Sequence, residues 1–314
     1  MARVVVLGLR YPDLSVEKGI LGGVEVVAGS GASADEIVEQ AGDADVIIAG
    51  SLPKFGSSVL ERIGCRSIVR AGIGVDNIDV DAAVDLGYTL AYVPDYGTES
   101  VAQHTLALAL AATRRLGEAD RVVREGGWGF AELRPMKLPP ASTAGVVGFG
   151  RIGRRVAELF RGIGFGRILV HDAFVEVDDQ EQVGLGRLLE SSDVVTLHAP
   201  PPSSGTPLIG AMEIARMRRG SAIVNTARGS LIDPAALASG LKIGAPRVAA
   251  LDVFDPEPPD LTPFKDVASR LILSPHSAWY SEESQLDLRK KSAEEARRII
   301  AGQPVRNPVS KGAS

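Results

Sequence analysis

Cysteine is almost absent from this sequence, whose 314 residues include only Cys65. A single cysteine excludes an intrachain disulfide and any cluster of thiolate metal ligands. Long hydrophobic runs are also lacking, because residues 4–9 are too few for a signal-peptide core and no other run approaches the length of a membrane span. We therefore expect a protein of the cytoplasm that does not insert into membranes.

An excess of positive charge is missing as well. The net charge is −5 and the pI is about 5.5, so the sequence has no electrostatic footprint for nucleic acid or an anionic membrane. Hydrophobic residues make up 45% and charged residues 23% of the chain, which is typical of a folded globular protein. A chain of this length can form two domains, each with its own core.

Short β-rich runs alternate with helical stretches in two series, which predicts an α/β architecture with parallel sheets. The six runs of the second series match a full dinucleotide-binding domain. The runs of the first series are residues 3–7, 24–28, 46–49, 67–70 and 88–93, and those of the second are 144–147, 167–170, 194–198, 222–225, 248–252 and 271–273.

Two helical segments lie outside this alternation. Residues 98–116 are rich in alanine and leucine and too apolar on all sides for an exposed helix, so they should be buried between domains or between subunits. Residues 282–301 form one long helical pattern near the end of the sequence, and periodicity does not reveal where it packs.

The second series opens with a glycine pattern, Gly148-Phe149-Gly150-Arg151-Ile152-Gly153, between a predicted strand and a predicted helix. In a dinucleotide fold the first glycine permits a tight turn, the second lets the pyrophosphate approach the backbone, and the third lets helix and strand pack closely. Asp172 follows the next predicted strand, where a carboxylate can bind the ribose hydroxyls and repel a 2′-phosphate. The pattern therefore predicts NAD in preference to NADP.

A similar pattern, Gly29-Ser30-Gly31-Ala32-Ser33-Ala34, follows the run at residues 24–28. The next predicted strand leads into Gly50 and Ser51 and offers no acidic ribose ligand. We interpret this second pattern as an ordinary turn between a strand and a helix.

Three loops that follow strands of the second series carry residues suited to the reduction of a carbonyl compound. That chemistry needs a cation to hold and polarise the substrate, and an acid/base for the hydroxyl proton. Ligands of open α/β sheets bind beyond the carboxyl ends of the strands, so these loops should converge on the cofactor. The loops are Asn225-Thr226-Ala227-Arg228-Gly229, Asp255-Pro256-Glu257-Pro258 and Ser274-Pro275-His276.

These motifs, in this order, resemble the NAD-dependent D-isomer-specific 2-hydroxyacid dehydrogenases over essentially the whole chain. Residues 71–79 resemble the substrate-carboxylate loop of that family, residues 147–153 its cofactor loop and residues 225–229 its arginine motif. The resemblance implies that Arg228 binds the substrate carboxylate and polarises its carbonyl, and that His276, hydrogen-bonded to Glu257, is the acid/base. A carboxylate beside an imidazole favours the imidazolium, which can protonate a developing alkoxide.

The resemblance also implies the remaining binding residues other than Lys54 and Trp279, for each of which two interpretations stay open. Lys54 is either a solvated loop residue or a contact for a second anionic group, and Trp279 either packs at the domain hinge or forms a pocket wall. No metal site is expected, and His104, His171 and His198 are interpreted as structural residues. The expected cofactor-binding residues are Thr98, Gly148, Gly150, Arg151, Ile152, Gly153, Asp172, Ala199, Thr226 and Asp252, and the expected substrate-binding residues are Lys54, Ile73, Gly74, Arg228 and Trp279.

The fold implied by the resemblance has two doubly wound parallel-sheet domains with the active site in the cleft between them. A flavodoxin-like substrate domain would comprise residues 1–97 and 279–314, and a Rossmann cofactor domain residues 98–278. In relatives the helices near residues 98–124 form a homodimer contact. The apolar residues 105–112 agree with this, although an interface between domains would look the same.

Residues 93–99 and 274–282 are most similar to the C-terminal-binding-protein corepressors and their bacterial relatives. Two functions follow: an enzyme that interconverts a 2-oxoacid and a D-2-hydroxyacid, and a corepressor-like NAD(H)-sensing protein with incidental turnover. The complete set of Arg228, Glu257 and His276, with almost no extension past the predicted fold, favours the enzyme. The substrate stays open among glyoxylate, hydroxypyruvate, branched and phosphorylated 2-oxoacids.

Overall fold

The computed structural model describes residues 1–9 and 13–312 of the chain. It divides into two compact units: unit 1 is Met1–Gly97 with Ser281–Ser314, and unit 2 is Thr98–Tyr280. Among the described residues, no helix combines the length and the apolar character needed to cross a membrane.

Strands and helices alternate along both units. The strands are β1 (Arg3–Leu7), β2 (Glu25–Gly29), β3 (Val46–Ala49), β4 (Ser67–Arg70), β5 (Thr89–Tyr92), β6 (Thr143–Val147), β7 (Arg167–His171), β8 (Glu181–Gln182), β9 (Val194–Leu197), β10 (Ala222–Asn225), β11 (Val248–Leu251) and β12 (Leu271–Leu273). The α-helices are α1 (Ser15–Leu21), α2 (Ala34–Ala41), α3 (Ser57–Arg62), α4 (Val80–Asp85), α5 (Thr98–Thr113), α6 (Leu116–Arg124), α7 (Arg151–Gly162), α8 (Leu185–Ser191), α9 (Ala211–Arg216), α10 (Pro234–Ile243) and α11 (Glu282–Ile300).

Unit 1 is built on a parallel sheet with the strand order β2-β1-β3-β4-β5 over its described residues. This is the order of flavodoxin-like folds. Helices α2, α3 and α4 supply Ile37, Leu60 and Ala83 to a core shared with the sheet. The long helix α11 begins at its N-cap Ser281 and packs against α1, β3 and β4.

Unit 2 is built on a parallel sheet with the order β12-β11-β10-β9-β6-β7-β8. If β6 is counted as strand 1, the strands β8-β7-β6-β9-β10-β11 follow the order 3-2-1-4-5-6 of Rossmann folds. Alternate strand residues face opposite sides, so Val224 packs with α5 and α7 while Ile223 packs with α8, α9 and α10. The expectation of two doubly wound parallel-sheet α/β domains is confirmed.

Helix α5 accounts for much of the apolar segment at residues 98–116. Its buried residues recur at helical spacing from Val101 and Ala102 to Ala112, and they pack against α7 and the sheet of unit 2. An ordinary sheet-facing stripe therefore explains the burial of these residues, which the sequence had suggested would lie between domains or subunits. The helical pattern also breaks at Arg115, whose φ of 54° separates α5 from α6.

The sequence missed one strand of the second series, β8. It has two exposed residues and pairs with β7 at the edge of the sheet. Both residues are polar and their side chains stay outside the core, so no apolar run marks the strand. A run of two residues is also too short to show periodicity. Among the described residues, the sheet of unit 2 therefore has seven strands instead of the six predicted.

Candidate active site and cofactor loop

The three motif glycines between β6 and α7 have different surroundings. Gly148 has φ +89°, and a Cβ atom there would lie 2.5 Å from the backbone of His198 and Ala199. At Gly153 a Cβ atom would lie 2.0 Å from the carbonyl oxygen of Gly148. At Gly150, however, no described atom other than those of Gly150 and its two chain neighbours lies within 4 Å of that position. The first and third glycines thus permit close packing, and the second leaves the space that a pyrophosphate requires.

The N-terminus of α7 opens toward that space. Its N-cap residue is Gly150, and no side chain of the described residues caps its first turn, which begins with Arg151 and Ile152. The first N–H groups of a helix have no intrahelical acceptors and carry the positive end of the helix dipole. The loop therefore fits the diphosphate of a dinucleotide.

Asp172 follows β7 and is held by backbone donors. Its Oδ2 accepts a hydrogen bond from Phe149 N at 2.6 Å, and its Oδ1 accepts from Phe174 N at 2.8 Å and Val175 N at 3.0 Å. Partial burial opposes ionisation, but these donors outweigh it and hold the pKa of the carboxyl below its usual value. Asp172 is therefore an anion beside the glycine loop, and its remaining lone pairs can accept from ribose hydroxyls.

Asn225, the last residue of β10, braces the loop that carries Arg228. Its Nδ2 donates to Arg228 O at 2.8 Å, and its Oδ1 accepts from Ala227 N at 3.1 Å. The guanidinium of Arg228 donates from Nη1 to Ala227 O at 2.8 Å. Thr226 is buried, and its hydroxyl lies 2.8 Å from that of Thr105 on α5. The arginine is thus half-buried on a loop held at both ends.

Phe254 connects the arginine loop with Glu257. A Cβ atom at Gly229 would lie 2.0 Å from the carbonyl carbon of Phe254, so the two backbones touch. Phe254 N also donates to Glu257 Oε1 at 3.1 Å. The contact requires glycine directly after Arg228 and positions the Glu257 carboxylate beside the arginine loop.

His276 and Glu257 form a hydrogen-bonded pair. His276 Nδ1 lies 2.8 Å from Glu257 Oε2, with side chains that are 43% and 36% exposed. An ionised carboxylate only accepts, so Nδ1 carries the hydrogen and Nε2 is the nitrogen left for a substrate. The backbone of His276 has φ +53°, which is unusual for a residue with a side chain, and its N–H donates to Asp252 O at 2.7 Å.

A buried carboxylate supports the loop of His276. Asp252 is fully buried, and it accepts from Ser277 N and Ala278 N at 2.9 Å each. Ser274 Oγ donates to Asp252 Oδ1 at 2.6 Å, so it accepts in turn from His104 Nε2 at 3.0 Å. The sequence did not anticipate this link from α5 to the histidine loop, because residues 104 and 274 lie far apart along the chain.

His171 and His198 lie outside the pair formed by His276 and Glu257. His171 Nδ1 lies 3.1 Å from Val183 O. Part of His198 reaches the surface, but its Nε2 is buried and has no hydrogen-bond partner among the described residues. Burial lowers the pKa of His198 to about 3, so its imidazole is neutral. Over residues 1–9 and 13–312, no group of three or more His, Cys, Asp or Glu side chains could hold a metal ion.

Within unit 1, Asn77 ties two candidate substrate loops together. Its Nδ2 donates to Gly50 O at 3.0 Å and to Pro53 O at 2.7 Å, beside Lys54. Lys54 is exposed, whereas Ile73 and Gly74 are half-buried on the loop that leads to Asn77. The expected contacts Lys54, Ile73 and Gly74 therefore lie on loops joined by one amide side chain.

The remaining expected residues lie at ends of elements in unit 2. Thr98 begins α5, and Ala199 follows β9 against Gly148. Trp279 is half-buried, and its ring meets Tyr280 edge-on with centroids 5.7 Å apart. Phe254 touches Gly229, the neighbour of Arg228, and donates to Glu257, which in turn pairs with His276.

Residues 106–278 match the family model described as "D-isomer specific 2-hydroxyacid dehydrogenase, NAD binding domain". The chain belongs to this 2-hydroxyacid dehydrogenase family. The matched residues contain the glycine loop, Asp172, Arg228, Glu257 and His276. Unit 2 therefore carries the NAD-binding domain of the family, and the expectation of NAD as cofactor is confirmed at the level of the family.

Sequence relatives and solved structures agree with this assignment. The chain is 36% identical over 294 residues to the D-3-phosphoglycerate dehydrogenase of Archaeoglobus fulgidus, which covers 92% of this chain and 55% of the relative. It is similar to the crystal structure of the TT0316 protein of Thermus thermophilus, with a TM-score of 0.88, 30% identity and coverage of 98% and 99% of the two chains. The structure of TP0037 from Treponema pallidum, a D-lactate dehydrogenase, gives a TM-score of 0.83, 27% identity and the same coverage.

The chain spans about half the length of the curated relatives that it matches. The match of residues 106–278 to the family model therefore shows the family, and the activity of this chain is a proposal.

Proposed function

We propose that this chain is an NAD-dependent oxidoreductase that interconverts a 2-oxoacid and a D-2-hydroxyacid. The observation that carries the proposal is the pair of His276 Nδ1 and Glu257 Oε2 at 2.8 Å. The pair joins the loops after β12 and β11, and the loop after the neighbouring strand β10 bears Arg228. A polarising cation and an oriented acid/base are what the reduction of a carbonyl group requires of the protein.

The residues proposed to hold the diphosphate and the adenine ribose lie around the N-terminus of α7. The open space at Gly150 and the first N–H groups of α7, at Arg151 and Ile152, would hold the diphosphate, and Asp172 would hold the adenine ribose. Bound NAD supplies the hydride-transferring nicotinamide ring. The further proposed contacts are Thr98, Gly148, Gly153, Ala199, Thr226 and Asp252.

Arg228 is proposed to bind the substrate carboxylate and to polarise the adjacent carbonyl group. Its planar guanidinium matches a carboxylate better than an ammonium group would, and Asn225 holds the loop in place. The further proposed substrate contacts are Ile73, Gly74, Lys54 and Trp279.

His276 is proposed to donate a proton from Nε2 to the substrate oxygen during reduction and to accept it during oxidation. Glu257 accepts from Nδ1 and so keeps hydrogen on that nitrogen, which leaves Nε2 for this transfer. The carboxylate itself is held by Phe254 N, so it orients the ring without leaving its position.

A 2-oxoacid panel followed by NADH absorbance tests the proposal, with glyoxylate, hydroxypyruvate, 2-oxoisocaproate and 3-phosphohydroxypyruvate as substrates. His276→Ala should lower turnover about 10²- to 10⁴-fold, the usual contribution of an acid/base, while NADH fluorescence titration shows retained binding. His171→Ala is the matched control and should turn over normally. Near-normal turnover by His276→Ala would overturn the catalytic assignment.

The substrate within this class is proposed from two features. The relatives named D-3-phosphoglycerate dehydrogenase favour a substrate with a second anionic group, and Lys54 is an exposed cation on a candidate substrate loop. A preference of the panel for 3-phosphohydroxypyruvate that is lost in Lys54→Met would support this choice. Equal loss for all four substrates would contradict it.

The alternative is a corepressor-like NAD(H)-sensing protein of the C-terminal-binding-protein-like branch, suggested by residues 274–282. A homodimer through residues 98–124 belongs to both proposals, and exposed Leu116 and Val123 on α6 support such a contact. Light scattering with and without NADH measures whether this homodimer forms. NADH-dependent dimerisation with no turnover of any 2-oxoacid would favour the alternative. We also predict that the protein acts in the cytoplasm.

A further inference from the structure

Unit 2 contains a cavity of about 160 Å³ that is lined by residues of the loops after β10 and β11 and of helix α10. Ile232, Leu237 and Phe264 are buried side chains of its wall, and Phe254 is partly buried there. A cavity of about 150 Å³ with such a lining is large enough for a benzene ring. The cavity can therefore hold one small apolar group.

Charge in the lining is of one sign. Asp255 and Asp260 are exposed carboxylates of the lining, and no lysine, arginine or histidine of the described residues contributes to it. Hydrogen bonds from the Thr262 side chain and backbone hold the pKa of Asp260 below its usual value, so it is an anion at neutral pH. A ligand with an apolar body and a cationic end would match both features.

The cavity is distinct from the proposed catalytic side chains but touches their loops. Arg228, Glu257 and His276 do not line it, whereas Gly229 and Pro256, which are their neighbours in sequence, do. Phe254 lines the cavity and donates its N–H to Glu257. A bound molecule would therefore brace the backbone that positions Glu257.

We propose that this cavity binds a small arylalkyl ammonium ion, with its ring against Leu237 and Phe264 and its ammonium group at Asp255 and Asp260. The site is separate from that of the 2-oxoacid, which is an anion and would be repelled by these carboxylates. Its existence does not depend on the proposed reaction.

Calorimetric titration of the full chain with benzylammonium tests the site, with benzyl alcohol as the neutral analogue of the same size. Benzylammonium should bind saturably and more tightly than benzyl alcohol. Asp255→Asn and Asp260→Asn should each weaken it about 1.5- to 5-fold, as expected for an exposed ion pair. Asp266→Asn is the matched control, because Asp266 pairs with Lys242 outside the lining and should leave the affinity unchanged.

Two further measurements locate the ligand. Leu237→Phe should abolish binding by filling the cavity, and benzylammonium should slow amide hydrogen exchange at Phe254 in the unaltered protein. The absence of saturable binding, equal affinity for benzyl alcohol, or unchanged binding in Leu237→Phe would each overturn the proposal, whatever the outcome of the 2-oxoacid assays.

Discussion

Two glycine-rich turns of this chain have similar sequences and different surroundings. The turn before α2 in unit 1 satisfies its own donors, since Gln40 Oε1 accepts from Gly31 N at 3.1 Å and Glu36 Oε2 accepts from Ala32 N at 3.2 Å. Ser33 Oγ then caps α2 by accepting from Glu36 N at 3.2 Å. The entrance of this helix therefore carries a carboxylate where a phosphate would have to bind.

The turn before α7 in unit 2 has the opposite arrangement. Gly150 leaves open space, and no described side chain caps the helix. Asp172 accepts from Phe149 N at the base of the loop and leaves the first turn of α7 to a ligand. Glycine spacing alone therefore does not define a phosphate site. The backbone N–H groups at the start of the helix must also lack hydrogen-bond acceptors from the protein itself.

Filling the open space at Gly150 should produce the largest difference between the two turns. Gly150→Val should fold normally, since its backbone is extended and no described atom lies near the new Cβ. Loss of one hydrogen bond to a charged phosphate costs about 1.5–3 kcal/mol, so NADH affinity should fall about 10- to 150-fold in fluorescence titration.

As a control, Ala32→Val enlarges an exposed side chain at the unit 1 turn. It should leave NADH affinity unchanged. A comparable loss in both variants would show that the difference between the turns does not determine binding.

Close packing at the third glycine should give the next largest effect. In Gly153→Ala the new Cβ meets the backbone oxygen of Gly148, which cannot move easily, so overpacking should lower the free energy of unfolding by about 1–3 kcal/mol. In Gly29→Ala the nearest atoms are side-chain ends of Gln40 and Leu7, which can shift. Chemical denaturation should show a smaller loss for Gly29→Ala, and equal losses would contradict this explanation.

His198, whose backbone packs on Gly148, should make the stability of unit 2 depend on pH. Its folded pKa of about 3 lies below the ordinary 6.5, so the unfolded chain binds a proton between these values and the folded chain does not. His198 therefore leaves the free energy of unfolding unchanged above pH 6.5 and lowers it as the pH falls below 6.5, by up to about 1.4 kcal/mol per pH unit. His198→Asn should reduce the slope of unfolding free energy between about pH 6.5 and 5, and an unchanged slope would contradict a buried neutral imidazole.

The charge of Asp172 should have the smallest of these effects. Asp172→Asn keeps a hydrogen-bond acceptor but removes the anion that opposes a 2′-phosphate. The repulsion between two charges at 4 Å is about 1 kcal/mol in water, so the preference for NADH over NADPH should narrow about fivefold. Glu36→Gln at the unit 1 turn should leave the preference unchanged, and an unaltered protein that prefers NADPH would refute the assignment of Asp172.

Much of the fold was predictable because the strands that pack into a core contain short apolar runs. The bounds of β1, β3, β4, β10 and β12 coincide with the runs read from the sequence. The edge strand β8 was not predictable, since exposed polar residues pair there through their backbone alone. The apolar content of α5 was also insufficient to show that its buried stripe packs on the sheet of unit 2.

The sequence by itself determined the order of strands and helices, the glycine loop and the residues that resemble a dehydrogenase site. These features depend on local periodicity and on short motifs, which are readable over a few neighbouring positions. Only the tertiary structure decided that Phe254 joins Glu257 to the arginine loop and that His104 reaches Asp252 through Ser274, whereas the resemblance already implied the pairing of Glu257 with His276. Such contacts depend on how strands far apart in sequence are placed side by side, and no local pattern encodes that placement.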